Sequence, residues 1–341
     1  MTRILSYNIL VGGSRRVEQI TKIISSAHPD IVGLVEATNP RVVEELAIRL
    51  GMQHRMSRYT EDRQDWHTAI LSRLPIVRTY SHVRPGILTH PLLEVSLEEE
   101  GGHVLTVFLT HLTAAFNYGR GGDGIRRREV QEILRIMETK RGTPHLLMGD
   151  FNSISPGDRL KAGTLLRYLV AMDRRRRLNP SASVGHPYLD FVVPAPLRFL
   201  NPLLRVIPRS KLLSAIFDEA GSLYAPRGSI RMLRKAGYID CFRRMNPDSS
   251  GFTCPADAPA GRIDYIFASP ELAEQLSACN VITEGNGLRG DEASDHLPVV
   301  AEFGKNAGAQ AKYVANSVEL GENATFVRNE DDEDIWGVGV G

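Results

Sequence analysis

Six short segments of this chain end or interrupt apolar runs with side chains able to bind a cation or move a proton. They are Tyr7-Asn8, Val35-Glu36, Thr110-His111-Leu112, Gly149-Asp150-Phe151-Asn152, Arg262-Ile263-Asp264-Tyr265-Ile266 and Ser294-Asp295-His296-Leu297. Taken singly, each has an ordinary explanation. Asn8 could be an amide satisfied by backbone, His111 a core histidine, residues 149–152 a turn, and Asp295-His296 a surface pair. Desolvating a carboxylate is costly unless a cation or hydrogen bonds compensate it, so six such segments are better explained by one shared polar site. Oxygen donors dominate: the carboxylates of Glu36, Asp150 and Asp295 and the amides of Asn8 and Asn152. That set suits Mg²⁺ or Mn²⁺, whereas zinc favours His and Cys. His296 and His111 can supply proton chemistry near neutral pH. An Asp264 buried beside His296 would fix its tautomer and favour its charged form.

These side chains need strand ends to hold them. Arg3 to Leu10 reads as a strand with Ile4, Ser6 and Asn8 on one face and Leu5, Tyr7 and Ile9 on the other. Val17, Ile20, Ile24 and Ala27 recur at helical spacing, and Ile31–Val35 is a buried strand running into Glu36. Asn39 caps a helix with Pro40 at its first position and Gly51 as its stop. Residues 68–72, 76–80, 92–97 and 104–110 are short, β-rich and separated by turn residues, which suggests antiparallel pairing. A helical period runs from Asp123 to Lys140, and His145–Met148, Arg262–Ala268 and Val299–Phe303 read as further strands. Strands, a helix and polar strand ends occur twice over, so mixed sheets covered by helices fit better than a purely parallel doubly wound fold.

Composition bounds the rest. The chain has 341 residues, 42% apolar and 24% charged, with 41 basic against 40 acidic side chains. That balance excludes a surface built wholly for gripping nucleic acid, though not a local basic patch. Three cysteines with no CxxC pair argue against a disulfide scaffold or structural zinc and for a reducing compartment. The N-terminal apolar stretch is too short for a signal peptide, and no run approaches the about 18 apolar residues of a membrane helix, so a soluble, cytoplasmic protein is expected. Residues 305–341 carry the acidic block 330–334 and end Gly-Val-Gly-Val-Gly, which reads as a flexible tail after a catalytic domain of residues 1–304.

Residues 167–211 stand apart, with nine basic against two acidic side chains, six prolines from Pro180 to Pro208, and many apolar residues. This insertion has three readings: a helical subdomain packing its apolar face on the domain, a membrane-interface element, or a nucleic-acid clamp. The first is preferred, and the sparse aromatics count against the clamp. His67, His90, His103, His145 and His186 read as structural or exposed, although Asp65 and His67 could reach the site edge. Arg127 or Arg128 could touch phosphate, with solvent-exposed helix arginines the plainer reading.

The motifs Ser-Tyr-Asn8-Ile, Val-Glu36, Thr-His111-Leu, Gly-Asp150-Phe-Asn152, Arg-Ile-Asp264-Tyr-Ile-Phe and Ser-Asp295-His296-Leu-Pro together resemble the endonuclease/exonuclease/phosphatase superfamily, over about residues 3–303 and in family order. The resemblance implies a four-layer α/β/β/α sandwich of two packed mixed sheets with the site at one edge. It implies Glu36 as principal metal ligand with Asn8 and Asp295, and Asp150 aligning or activating the attacking water. Asn152 would bond the scissile phosphate, His296, oriented by Asp264, would stabilise its developing charge, and His111 would face phosphate or leaving group. His111 within Thr-His-Leu is nearer the DNase I, sphingomyelinase and phosphatase branches than the apurinic-site exonucleases, which carry Tyr thereabouts. The expected activity is Mg²⁺- or Mn²⁺-dependent hydrolysis of a phosphodiester. A nuclease and a phospholipid or sphingomyelin phosphodiesterase are both open, with a non-catalytic binding module on the same fold as the outsider.

Overall fold

The computed structural model describes residues 1–57, 68–115, 118, 120–179, 185–193 and 195–304. Asp65, His67 and the acidic stretch 305–341 lie outside the described residues. The chain begins β1 (Thr2–Asn8), α1 (Val17–Ser26), β2 (Ile31–Val35), α2 (Pro40–Leu50), β3 (Gln53–Met56) and β4 (Ala69–Ser72). Next come β5 (Ile76–His82), β6 (Leu92–Glu98), β7 (Val104–His111), α3 (Arg120–Met137) and β8 (His145–Asp150). A helical stretch follows: α4 (Ala162–Leu178), the short α5 (Leu189–Val192) and α6 (Asn201–Leu204), α7 (Lys211–Tyr224) and α8 (Gly228–Lys235). The last strands are β9 (Ile239–Asp240), β10 (Asp264–Ala268), β11 (Leu276–Val281), the pair β12 (Glu284–Gly285) and β13 (Leu288–Arg289), and β14 (Val299–Phe303).

Two six-stranded mixed sheets result, in the orders β11-β14-β1-β2-β4-β3 and β5-β6-β7-β8-β10-β9. Each contains one parallel pair, β1 with β2 and β7 with β8, and α1 and α3 make the two crossovers. The remaining pairings in both are antiparallel. Period-two alternation builds the layers. Ile4, Val35, Leu109, Met148, Ile266 and Val299 fill the space between the sheets. Their strand neighbours Leu5, Tyr7, Val32 and Leu34 pack outward on α1 and α2. Phe108, Leu147 and Phe267 pack on α3 and α8 through Ile133 and Leu233. The molecule is therefore an α/β/β/α sandwich. Gly33 allows the sheets to approach, since a Cβ there would lie 2.4 Å from Cε of Met148.

Local signals hold where they are strong. The side chain of Asn39 accepts from the Arg41 N–H, Pro40 opens α2, and Gly51 closes it at φ 64°. The short strands divide between sheets, however. β4 pairs with β2 and β3 in the first sheet, while β5, β6 and β7 form the expected antiparallel run in the second. Strand β10 begins at Asp264, the first residue paired with β8, rather than at Arg262. The buried Arg262 guanidinium meets both oxygens of Asp240 at 2.7 and 2.8 Å and Asp158 at 2.7 Å. Removing that cation would leave the buried Asp240 carboxylate without a guanidinium and Asp158 with Arg243 alone. Arg262→Ala is expected to cost about 3–5 kcal/mol of unfolding free energy, read from denaturant midpoints. A loss below about 1 kcal/mol, the range of exposed pairs, would contradict the reading.

In the stretch expected as an insertion at 167–211, the described residues lie in α4, α5, α6, the start of α7 and the turns beside them. Tyr168, Leu169 and Met172 of α4 are buried in a small cluster with Tyr188, Val192 and Ala258. Among the described residues, no helix is long and apolar enough to cross a membrane.

Candidate active site

Strand parity delivers the site. Asn8 follows Ile4 and Ser6 on the inter-sheet face of β1, His111 follows Leu109 on β7, Asp150 follows Met148 on β8, and Asp264 precedes Ile266 on β10. All four occupy strand ends, and the pairing sets His111 and Asp264 opposite Asp150. Four polar groups from both sheets thus reach one rim of the inter-sheet core.

Backbone strain aims the remainder. Glu36 leaves β2 at φ 58° and Asn152 leaves β8 at φ 47°. Val11, a β-branched residue at φ 46°, directs its N–H onto Glu36 Oε2 at 2.7 Å. Such conformations cost about 1–3 kcal/mol each and cluster where a function requires them. Gly149 has φ 137°, and a Cβ there would sit 1.9 Å from the Thr110 carbonyl oxygen. Only glycine allows β8 to bring Asp150 this close to β7.

Hydrogen bonds then knit the groups together. The amide nitrogen of Asn8 donates to Glu36 Oε1 at 3.0 Å and to Asp150 Oδ2 at 3.1 Å, while its oxygen accepts from the Leu10 N–H. Asp150 Oδ1 accepts from the Asn152 N–H at 2.9 Å. The Asn152 side chain donates one amide hydrogen to the Leu112 carbonyl, leaving its other to face elsewhere. His296 Nδ1 lies 2.9 Å from Asp264 Oδ2, and its Nε2 lies 3.8 Å from Asp150. His111 Nε2 is 3.7 Å from the same Asp150 oxygen. The Ser294 hydroxyl donates to the Asn8 carbonyl at 2.7 Å and accepts from the His296 N–H, tying the first motif to the last.

Burial and charge set the protonation pattern. Burial, then the Asp295 charge, pushes Glu36 up to about 7. Burial, then Asp264, pushes Asp150 up to about 7. Burial alone would lower His296, but the Asp264 carboxylate beside it outweighs this and holds it well above the usual imidazole value. His111 falls well below that value through burial and the neighbouring His90 and His296. Burial would raise Asp295, yet its contact with His186 and the His296 charge hold it low. The rim therefore joins one cationic imidazole, one neutral imidazole and an excess of buried carboxylate.

That excess fits a divalent cation. Asp295 Oδ1 is buried with no hydrogen-bond partner, and Glu36 and Asp150 are disfavoured as anions where they stand. Asp150, Asp264 and His296 place ligand-type atoms within 4.8 Å of one another. The Asp264–His296 contact is itself a hydrogen bond.

Three neighbours escaped the sequence reading. His186, taken there as structural or exposed, has Nδ1 3.5 Å from Asp295 Oδ2 and 2.9 Å from the Tyr168 hydroxyl. The helical stretch thus touches the site. His90 stacks on His111 with ring centroids 4.9 Å apart. Cys254 lies against His296, and burial raises its thiol to about 11. No spacing in the chain marks any of them. Arg127 lies instead beside Gly228 of α8.

The family model for the endonuclease/exonuclease/phosphatase family matches residues 5–296. The chain belongs to that family, and so to a metal-dependent class of proteins. It is a hydrolase of phosphoric esters. No curated protein matches it in sequence. Solved structures share the fold. An AP endonuclease from Archaeoglobus fulgidus is 15% identical with a TM-score of 0.58, over 89% of this chain and 99% of that one. A variant of the 3' phosphatase NExo from Neisseria, bound to product DNA hairpin, is 16% identical with a TM-score of 0.56, over 89% and 100%. A humanized D. rerio TDP2 is 15% identical with a TM-score of 0.53, over 89% and 99%.

Proposed function

We propose that this protein hydrolyses a phosphodiester with Mg²⁺ or Mn²⁺, by in-line attack of an activated water. The observation that carries the reading is the convergence of Asn8, Glu36, His111, Asp150, Asp264, Asp295 and His296 from both sheets at one rim. Glu36, Asn8 and Asp295 would hold the ion. When bound, a divalent ion neutralises charge on the phosphoryl oxygens and polarises the ester.

The chain's own residues do the rest. Asp150 accepts the proton of the attacking water, and Asn8 and the Asn152 N–H fix the direction of its carboxylate. A carboxyl raised to about 7 is well matched to this task near neutral pH. His296, kept cationic and oriented by Asp264, offers its Nε2 side to charge developing on the phosphoryl group. The second amide hydrogen of Asn152 is available to a phosphoryl oxygen, and neutral His111 faces the same space from β7.

DNA is the first substrate to test, since the Neisseria relative is described with a DNA product. A phospholipid or sphingomyelin ester is the second, on account of the apolar and basic helical stretch. Purified protein with Mg²⁺ or Mn²⁺ is offered bis-p-nitrophenyl phosphate, plasmid DNA, RNA, and sphingomyelin or phosphoinositide vesicles. Turnover is expected on at least one and is expected to vanish with EDTA and in Glu36→Ala or His296→Ala. Turnover that survives chelation overturns the metal reading, and binding without turnover on every substrate makes the protein a binding module.

A further inference from the structure

A buried carboxylate needs partners to fix its direction, and the three acids of the rim find them in different places. Glu36 accepts from the Asn8 amide and the Val11 N–H. Asp150 accepts from the Asn8 amide and the Asn152 N–H. All of these donors stand at the sheet ends. The main chain around Asp295 is tied there too. Its carbonyl accepts from the Ala256 N–H at 2.7 Å, the Ser294 hydroxyl donates to the Asn8 carbonyl, and the Arg16 guanidinium donates to the Ala293 carbonyl. The Asp295 carboxylate is held from elsewhere. Among the described residues, the polar group against it is the imidazole of His186, with Nδ1 3.5 Å from Oδ2, while Oδ1 is buried and bonded to none of them.

His186 is itself fixed in place. The Tyr168 hydroxyl of α4 lies 2.9 Å from the same Nδ1, so a hydrogen there faces both oxygens. Tyr168 is 5% exposed and packs with Leu169, Met172, Tyr188 and Val192. On the other side, a Cβ on Gly185 would lie 2.3 Å from Cγ2 of Val11, so the main chain is packed closely on that residue. The Val11 N–H is what holds Glu36 Oε2. Residues 185 and 186 therefore back the supports of Glu36 and of Asp295 at once.

A carboxylate aimed in advance by an outer partner binds its cation more tightly, because less order is imposed when the ion arrives. We propose that His186, backed by the Tyr168 hydroxyl, is a positioning residue of the cation site: it takes Oδ2 of Asp295 and leaves Oδ1 for the ion. The segment that carries it is then a working part of the site and more than an added cover. This rests on the assignment of Asp295 to a divalent ion.

The test is calorimetric titration of the full chain with Mn²⁺ in mildly alkaline buffer, for the wild type, His186→Ala, His186→Asn and Asp295→Asn. His186 lies outside helices and strands with its side chain 20% exposed, so both of its variants are expected to keep the wild-type circular dichroism and melting temperature in EDTA. His186→Ala should weaken Mn²⁺ binding by about 10–100-fold. The asparagine offers an N–H close to where the imidazole Nδ1 stood, so His186→Asn should recover most of that loss. Unchanged affinity in His186→Ala, with Asp295→Asn weakened, overturns this proposal and leaves the cation site standing. A loss that His186→Asn does not relieve also overturns it, since the whole imidazole would then be required. A wild type that binds no Mn²⁺, or an Asp295→Asn variant that binds as tightly as the wild type, overturns the assignment of Asp295 and this proposal with it. If His186→Ala fails to fold, Tyr168→Phe, which removes one hydroxyl, takes its place, and unchanged Mn²⁺ affinity there overturns the proposal.

Discussion

Asp150→Asn is expected to slow hydrolysis of bis-p-nitrophenyl phosphate by about 10²–10⁴-fold, the range for loss of a general base, without weakening the fold. The asparagine keeps the shape of the side chain and an oxygen able to accept from the Asn152 N–H, and gives up the bond accepted from the Asn8 amide. It removes a charge that the native site disfavours, since burial and Asp264 hold the Asp150 carboxyl up at about 7. A carboxyl raised in the folded state binds its proton more tightly there than in the unfolded chain. Between the ordinary Asp value and about 7, metal-free protein therefore loses stability as pH rises. Above that window the wild type carries the whole penalty and Asp150→Asn carries none. In chelated, mildly alkaline buffer the variant should melt at or above the wild-type temperature while being nearly inactive. A variant that keeps wild-type turnover would remove Asp150 from the reaction. One that loses activity and fold together would make it a structural residue.

Glu36→Gln is the counterpart on the cation side. Burial and the Asp295 charge push the Glu36 carboxyl up to about 7, so near neutral pH metal-free protein holds a proton that a divalent ion must displace. Calorimetric titration with Mn²⁺ in two buffers of different ionisation enthalpy should show proton release below about pH 7, with affinity falling as pH falls. The glutamine has no proton to give up and no charge to offer. Its affinity should drop by more than the about 10–100-fold typical of losing an outer-shell partner, and its proton release should shrink. The same substitution relieves a buried charge and gives up one of the two bonds accepted from Asn8 and Val11, so the metal-free variant should stay within about 1 kcal/mol of the wild type. Unchanged affinity would take Glu36 out of the ion's coordination. An unchanged proton count would assign the titration to Asp150.

Much of this was legible from residue order. Strand alternation placed Ile4, Ser6 and Asn8 on one face, and that face is the inter-sheet one leading to the site. The helix stop at Gly51 and the cap at Asn39 were equally plain, because caps and left-handed stops depend on one or two residues. The pairing of β4 and the existence of β3 and β11 were not, since β3 and β11 are edge strands made mostly of exposed and half-buried residues and carry little apolar alternation.

Short-range rules thus determined, from sequence alone, most strands and helices around the six motifs, the oxygen-rich donor set and the parity of the first strand, which carries Asn8. Packing alone decided which strand ends meet, that His186 reaches Asp295, and that His90 stacks on His111. The physical reason is range. A strand's two faces follow from a repeat of two residues, whereas a contact between residues 109 positions apart depends on how layers stack, and nothing in the local chain encodes that.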